Sequence, residues 1–118
     1  MESISKQSIY KTLGEVFKTY RIKNHLTQEN IAEKLGISVK YISRIENGTG
    51  GVKLERLVNY LNILGILPNI AFYKLIKNEK LSYQLELSKK VEDLSDSEIK
   101  FLIEFIDLMK NLNTNVLK

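Results

Sequence analysis

The sequence contains no cysteine, a single histidine and a single proline, and each scarcity closes off a class of function. Without thiols there are no disulfides and no thiolate metal sites, so the fold must stand on packing alone, and a reducing, intracellular compartment is the expectation. His25 sits alone in the loop "KNHLTQ", with neither a second histidine nor a cysteine to complete a ligand set, so no metal is expected. No stretch approaches the ~20 apolar residues that span a bilayer. The N-terminus "MESISKQSIYK" lacks the apolar core of a leader peptide, so the reading is cytoplasmic with no membrane partner. Carboxylates are scattered without an adjacent nucleophile or metal motif, and "NGTGG" lacks the Lys-Ser/Thr that would follow in a P-loop. No catalytic residue and no cofactor are therefore expected.

What is present is enough apolar material for a core: 43% of the 118 residues are hydrophobic, which argues against disorder and for one domain or a small domain with an appendage. The formal charge of +4 is unevenly spread. Residues 1–65 carry ten Lys/Arg against six acids, whereas residues 66–118 carry eight of each. The imbalance points to a polyanion-facing first half and a second half with another task.

Sparse glycine and proline, with apolar residues recurring at three and four, predict an all-α chain. Ile9, Leu13, Val16, Phe17 and Tyr20 form the stripe of a first helix from about Ser8 to Lys23. Thr27 caps a second, with Glu29 in its first turn and Ile31, Ala32 and Leu35 inward; Gly36 ends it. Ser38 caps a third with Ile42 and Ile45 inward, closed by "NGTGG". A fourth runs from about Lys53 to Leu64, with Leu54, Leu57, Val58, Leu61 and Leu64 inward, and "NIAFYKLIKNE" after Pro68 predicts a short fifth. Residues 79–94 fit both an alternating and a helical pattern; helix is favoured because a lone strand would have nothing to pair with. Ser95 and Glu98 make a capping box ahead of a helix to about Leu112.

The break at Gly36 turns two short helices steeply against each other, and the small Ala32 lets them close. That leaves Val39, Lys40, Ser43 and Arg44 exposed on the third helix with Tyr41 at the edge: side chains suited to bases and phosphates, Val39 to a thymine methyl. From about Leu13 to Gly65, "LTQENIAEKLGIS", "YISRIENG" and "LNILGI" resemble the helix-turn-helix regulators of the phage-repressor/Cro type, also called xenobiotic-response-element-type regulators. The resemblance implies a five-helix lambda-repressor-like DNA-binding head whose third helix lies in the major groove. It further implies that Gln28 holds a phosphate and braces the reading helix, and that Lys40, Ser43 and Arg44 face bases with Val39 beside them. Tyr41 and Asn47 match phosphate contacts, Ser38 and Lys53 complete the DNA-contacting set, and Arg21 pairs with Glu46 as a strut. The family often has Gln where this chain has Val39 and Lys40, so the operator sequence does not carry over.

The last helix has more apolar surface than one neighbour needs. At ~100° per residue, Ile99, Leu102, Ile103, Ile106 and Met109 share one face while Phe101, Phe105, Leu108 and Leu112 make a second beside it. A helical self-association tail is the expectation, with the dimer contact on Ile99, Phe101, Leu102, Phe105, Ile106, Leu108, Met109 and Leu112. The layout of head and tail is similar to the SinR type of regulator, whose tail also binds a small antagonist protein. The expected division is 1–67 for the DNA-binding head, 68–94 for a connecting helical segment and 95–118 for the tail. The expected function is a dimeric repressor bound to an inverted-repeat operator in double-stranded DNA. Alternatives are an interaction protein that antagonises a related regulator through its tail, or an antitoxin with autoregulatory DNA binding.

Overall fold

The computed structural model describes residues 3–116, with the side chains of 114–116 left aside. Among these residues there are seven α-helices and no strand: α1 (Lys6–Lys23), α2 (Gln28–Leu35), α3 (Val39–Asn47), α4 (Leu54–Leu64), α5 (Pro68–Phe72), α6 (Ser82–Val91) and α7 (Asp96–Val116). The described fold is all-α. Short 3₁₀ turns at Tyr73–Leu75 and Glu79–Leu81 follow α5 and precede α6. The chain divides into two compact units, Met1–Glu79 and Lys80–Lys118.

The first unit closes around Phe17, Ile31, Ile42 and Tyr60, all wholly buried, with Leu13, Ala32, Ile45, Leu64, Ile66 and Ala71 completing the core. Removing each such large apolar side chain from water contributes roughly 1.5–3 kcal/mol. The rings of Phe17 on α1 and Tyr60 on α4 stack with centroids 4.3 Å apart. α1 packs on α3, α4 and α5, and α2 packs on α3 and α4. The closest approach is at Gly14, where an added Cβ would land on the carbonyls of Ile45 and Glu46. Only a residue without a side chain lets α1 lie this near the end of α3.

Boundaries follow capping chemistry. α1 starts two residues earlier than the apolar stripe suggests, because the hydroxyl of Ser5 accepts from the Ser8 N–H at 3.2 Å. α2 opens on a reciprocal box, in which the Thr27 hydroxyl accepts from the Asn30 N–H and the Asn30 side chain accepts from the Thr27 N–H. The segment after Pro68 forms α5 and a 3₁₀ turn instead of one longer helix. Residues 82–91 are helical, and α7 runs past Leu112 to Val116.

The inward face of α4 differs from expectation. Leu54 is 76% exposed and Val58 48%, while Tyr60 is fully buried. Leu54, Val58 and Leu61 form one stripe and Leu57, Tyr60 and Leu64 another, roughly 100° round the helix. The second turns inward because the Tyr60 ring stacks on Phe17 across the core.

Candidate nucleic-acid interface

The turn between α2 and α3 shows what the glycine is for. Gly36 adopts φ 68°, and an added Cβ would meet nothing within 4 Å, so the requirement is conformational and not one of space. With Gly36 left-handed, the Ile37 N–H reaches back to the Ala32 carbonyl at 3.0 Å, satisfying the end of α2. Two residues later the Ser38 hydroxyl accepts from the Tyr41 N–H at 3.1 Å and starts α3. The two short helices are thus capped independently and held at an angle by Ile31, Ala32 and Ile42 between them.

Within α3, Ile42, Ile45 and Glu46 are buried. Lys40, Arg44 and Asn47 are exposed, Val39 is 37% exposed, and Ser43 is half-buried. Asn47 reaches the Ser43 hydroxyl through its amide at 3.5 Å. Ser38 is exposed and occupied as the cap, and Lys53 is exposed at the N-cap of α4. The structure therefore brings Val39, Lys40 and Arg44 onto the outward side of one helix, with Ser43 partly covered.

Behind that face lies a polar network. The guanidinium of Arg21 donates twice to Glu46, Nε to Oε2 at 2.6 Å and Nη2 to Oε1 at 3.0 Å, and Nη1 donates to the Leu26 carbonyl at 2.9 Å. The two side chains are only 12% and 1% exposed, so the pair is shielded from water. Hydrogen bonding to the Glu46 carboxylate raises the Arg21 pKa further above its ordinary value, opposed by burial. Gln28 completes the network, its Nε2 donating to Glu46 Oε1 at 3.1 Å. A carboxylate only accepts, which fixes the orientation of the Gln28 amide. The first helix, the start of the second and the end of the third are thus tied through one buried carboxylate.

Tyr41 is half-buried, its hydroxyl donating to the Gly51 carbonyl at 3.1 Å, and the guanidinium of Arg56 on α4 lies over its ring, 5.2 Å from the centroid. Sequence spacing gave no hint of Arg56 beside α3, because the two sit on different helices and meet only through the fold.

In the second unit the Ser95–Glu98 box is formed in both directions, at 3.3 and 3.0 Å. Hydrogen bonding from the Ser95 backbone N–H, and after it from the Ser95 side chain, holds the Glu98 carboxyl below its ordinary pKa. Along α7, Ile99, Leu102 and Ile106 are half-buried. Met109 is 44% exposed, and Phe101, Phe105, Leu108 and Leu112 are between 49% and 68% exposed. Ile103, assigned to the first face, is 54% exposed. No described helix is long and apolar enough to cross a membrane.

No curated protein matches the chain. The helix-turn-helix family HTH_3 matches residues 17–69. Among solved structures, the chain is similar to a point mutant of the restriction-modification controller protein C.Esp1396I, at 25% identity over 64% of this chain and 90% of that one, with a TM-score of 0.50. It shares its fold with the clp gene regulator ClgR from Corynebacterium glutamicum, at 19% identity over 93% and 96% of the two chains, with a TM-score of 0.53. The matched residues hold α2, the Gly36 turn and α3 entire, so this part of the chain is similar to the Cro/C1-type helix-turn-helix, and the similarity supports a DNA-binding transcriptional regulator.

Proposed function

We propose that this regulator is a cytoplasmic, dimeric repressor that acts by occupying an inverted-repeat operator. The observation that carries the reading is the division of α3 into a buried side, Ile42, Ile45 and Glu46, and an outward side bearing Val39, Lys40 and Arg44. In this reading Lys40 and Arg44 take base edges in the major groove with Ser43 beside them, and Val39 meets a thymine methyl. Asn47 and Lys53 hold phosphates, and Ser38 sets the start of the reading helix close to the backbone. Gln28 has committed one amide hydrogen to Glu46 and keeps a second for a phosphate.

Residues 1–67 would read DNA, 68–94 connect, and 95–118 join two copies through the exposed face of α7. Two heads then enter major grooves about 34 Å apart, or a multiple of it, and exclude polymerase or another regulator. The exposed Phe101 and Phe105 also favour a second reading, in which α7 pairs with a related regulator or a small antagonist instead of with a copy of itself.

Selection from random duplexes tests the first reading, followed by titration of variants on matched and mismatched sites. Arg44→Ala is expected to weaken specific binding by about 1–3 kcal/mol and relax preference at one operator position. Gln28→Ala is expected to weaken all duplexes evenly. A selection that enriches no sequence would move the interaction reading ahead.

A further inference from the structure

The three arginines of the chain stand in three different states. Arg21 has its donors engaged by Glu46 and the Leu26 carbonyl. Arg44 is exposed on the reading helix. Arg56 is half-buried, lies over the Tyr41 ring, and has no carboxylate partner among the described residues. A guanidinium held on an aromatic face loses less freedom when it grips an anion, and it keeps its fork of N–H groups for that anion.

Tyr41 itself is poorly equipped for the phosphate contact that resemblance implies for it. A phenol has one hydrogen, and here it is given to the Gly51 carbonyl at 3.1 Å. Phosphate oxygens only accept, so Tyr41 has nothing to donate to them while that bond stands. An added Cβ at Gly51 would lie 2.7 Å from the Tyr10 side chain, so the loop backbone passes close against Tyr10 at the residue whose carbonyl accepts from Tyr41. Three residues before Arg56, at the N-cap of α4, is the exposed Lys53.

We infer that Arg56 binds one backbone phosphate of the DNA strand beside the reading helix, and that Tyr41 is its positioning residue, holding the guanidinium from below without touching the phosphate. The inference rests on the DNA-binding reading. It adds a contact on α4 and reassigns Tyr41 from contact to platform.

Counterion release supplies the test. The full-length protein is titrated on a selected duplex and on an unrelated duplex between about 50 and 200 mM salt. Each phosphate neutralised contributes about 0.9 to the slope of log K against log salt. Arg56→Gln is expected to reduce that slope by about 0.9 on both duplexes, so that it loses about 3-fold less affinity than wild type across the range. Arg56→Lys is expected to restore the slope, and Tyr41→Phe to leave it unchanged, since the ring remains. Tyr41→Leu combined with Arg56→Gln should bind no worse than Arg56→Gln alone. A slope unchanged by Arg56→Gln, with circular dichroism showing the variant folded and wild type binding normally, overturns the inference and leaves the DNA-binding reading standing. A Tyr41→Phe variant that loses affinity on both duplexes makes Tyr41 the direct contact and also overturns it. Wild type that binds neither duplex overturns both.

Discussion

The two units of this chain solve the same problem in opposite ways. Both are built from amphipathic helices, whose stability in water comes mainly from burying an apolar face against something else. The unit ending at Glu79 finds its partners internally: ten apolar side chains from α1 to α5 are buried together, and Glu46, the one buried carboxylate among its described residues, is paired. Between Lys80 and Asn113 no residue is buried, and α7 holds Phe101, Phe105, Leu108 and Leu112 between 49% and 68% open to water. The difference teaches where each unit's stability must come from. The head carries its own core, whereas the surface of α7 acquires one only when a second surface covers it, which is why the proposed dimer is placed there.

The sharpest way to break this contrast is to charge the open face. Phe101→Glu together with Phe105→Glu is expected to leave the head's unfolding transition in place, since neither residue belongs to its core. The protein should become monomeric by sedimentation. Affinity for a two-half-site operator should drop by about 10²–10⁴-fold, because the heads no longer share one binding event. A double variant that stays dimeric would move the contact into the head, where the exposed Leu54 and Val58 of α4 offer an apolar stripe.

The next largest effect tests the head's side of the comparison. Arg21→Ala strands the Glu46 carboxylate, which is 1% exposed, and should cost about 3–5 kcal/mol. Against a typical stability of about 5–15 kcal/mol, that is enough to leave the head partly unfolded at ordinary temperature. The variant's denaturant midpoint measures it. An unchanged midpoint would mean that water reaches the pair, and the head would then owe less to its interior than the comparison claims.

Much of the reading unit was legible from local chemistry alone. Thr27, Gly36 and Ser38 each act through hydrogen bonds or dihedral angles within a few residues, so the helix, the turn and the second helix could be placed before any packing was known. The same holds for the Ser95–Glu98 box at the start of α7. α4 was read with Leu54 and Val58 inward because two apolar stripes at helical spacing are indistinguishable from within; Phe17, on another helix, decides between them. The candidate site divides in the same way. The outward set on α3 follows from its buried partners at helical spacing, but the Tyr41–Gly51 bond, the Arg56 stack and the Gln28–Glu46 bond join separate elements and leave no periodic trace.

The smallest expected effect concerns a defect inside the well-made unit. Tyr60 is fully buried, and its hydroxyl finds no hydrogen-bond partner among the described residues. Burial dominates its surroundings and pushes the phenol pKa above its ordinary value, with the nearby Glu46 charge acting in the same direction and Arg21 against it. A buried hydroxyl without a partner is a net cost, because the hydrogen bonds it made to water in the unfolded chain are not replaced. The ring, stacked on Phe17 at 14° between planes, supplies the favourable packing, and phenylalanine would keep all of it. Tyr60→Phe should therefore raise the head's stability by about 1 kcal/mol, read as a higher denaturant midpoint at unchanged slope. Since the substitution alters none of the outward residues of α3, DNA binding should not change. If the variant is destabilised instead, the hydroxyl has a partner in solution, and the network around Glu46 extends one residue further into the core.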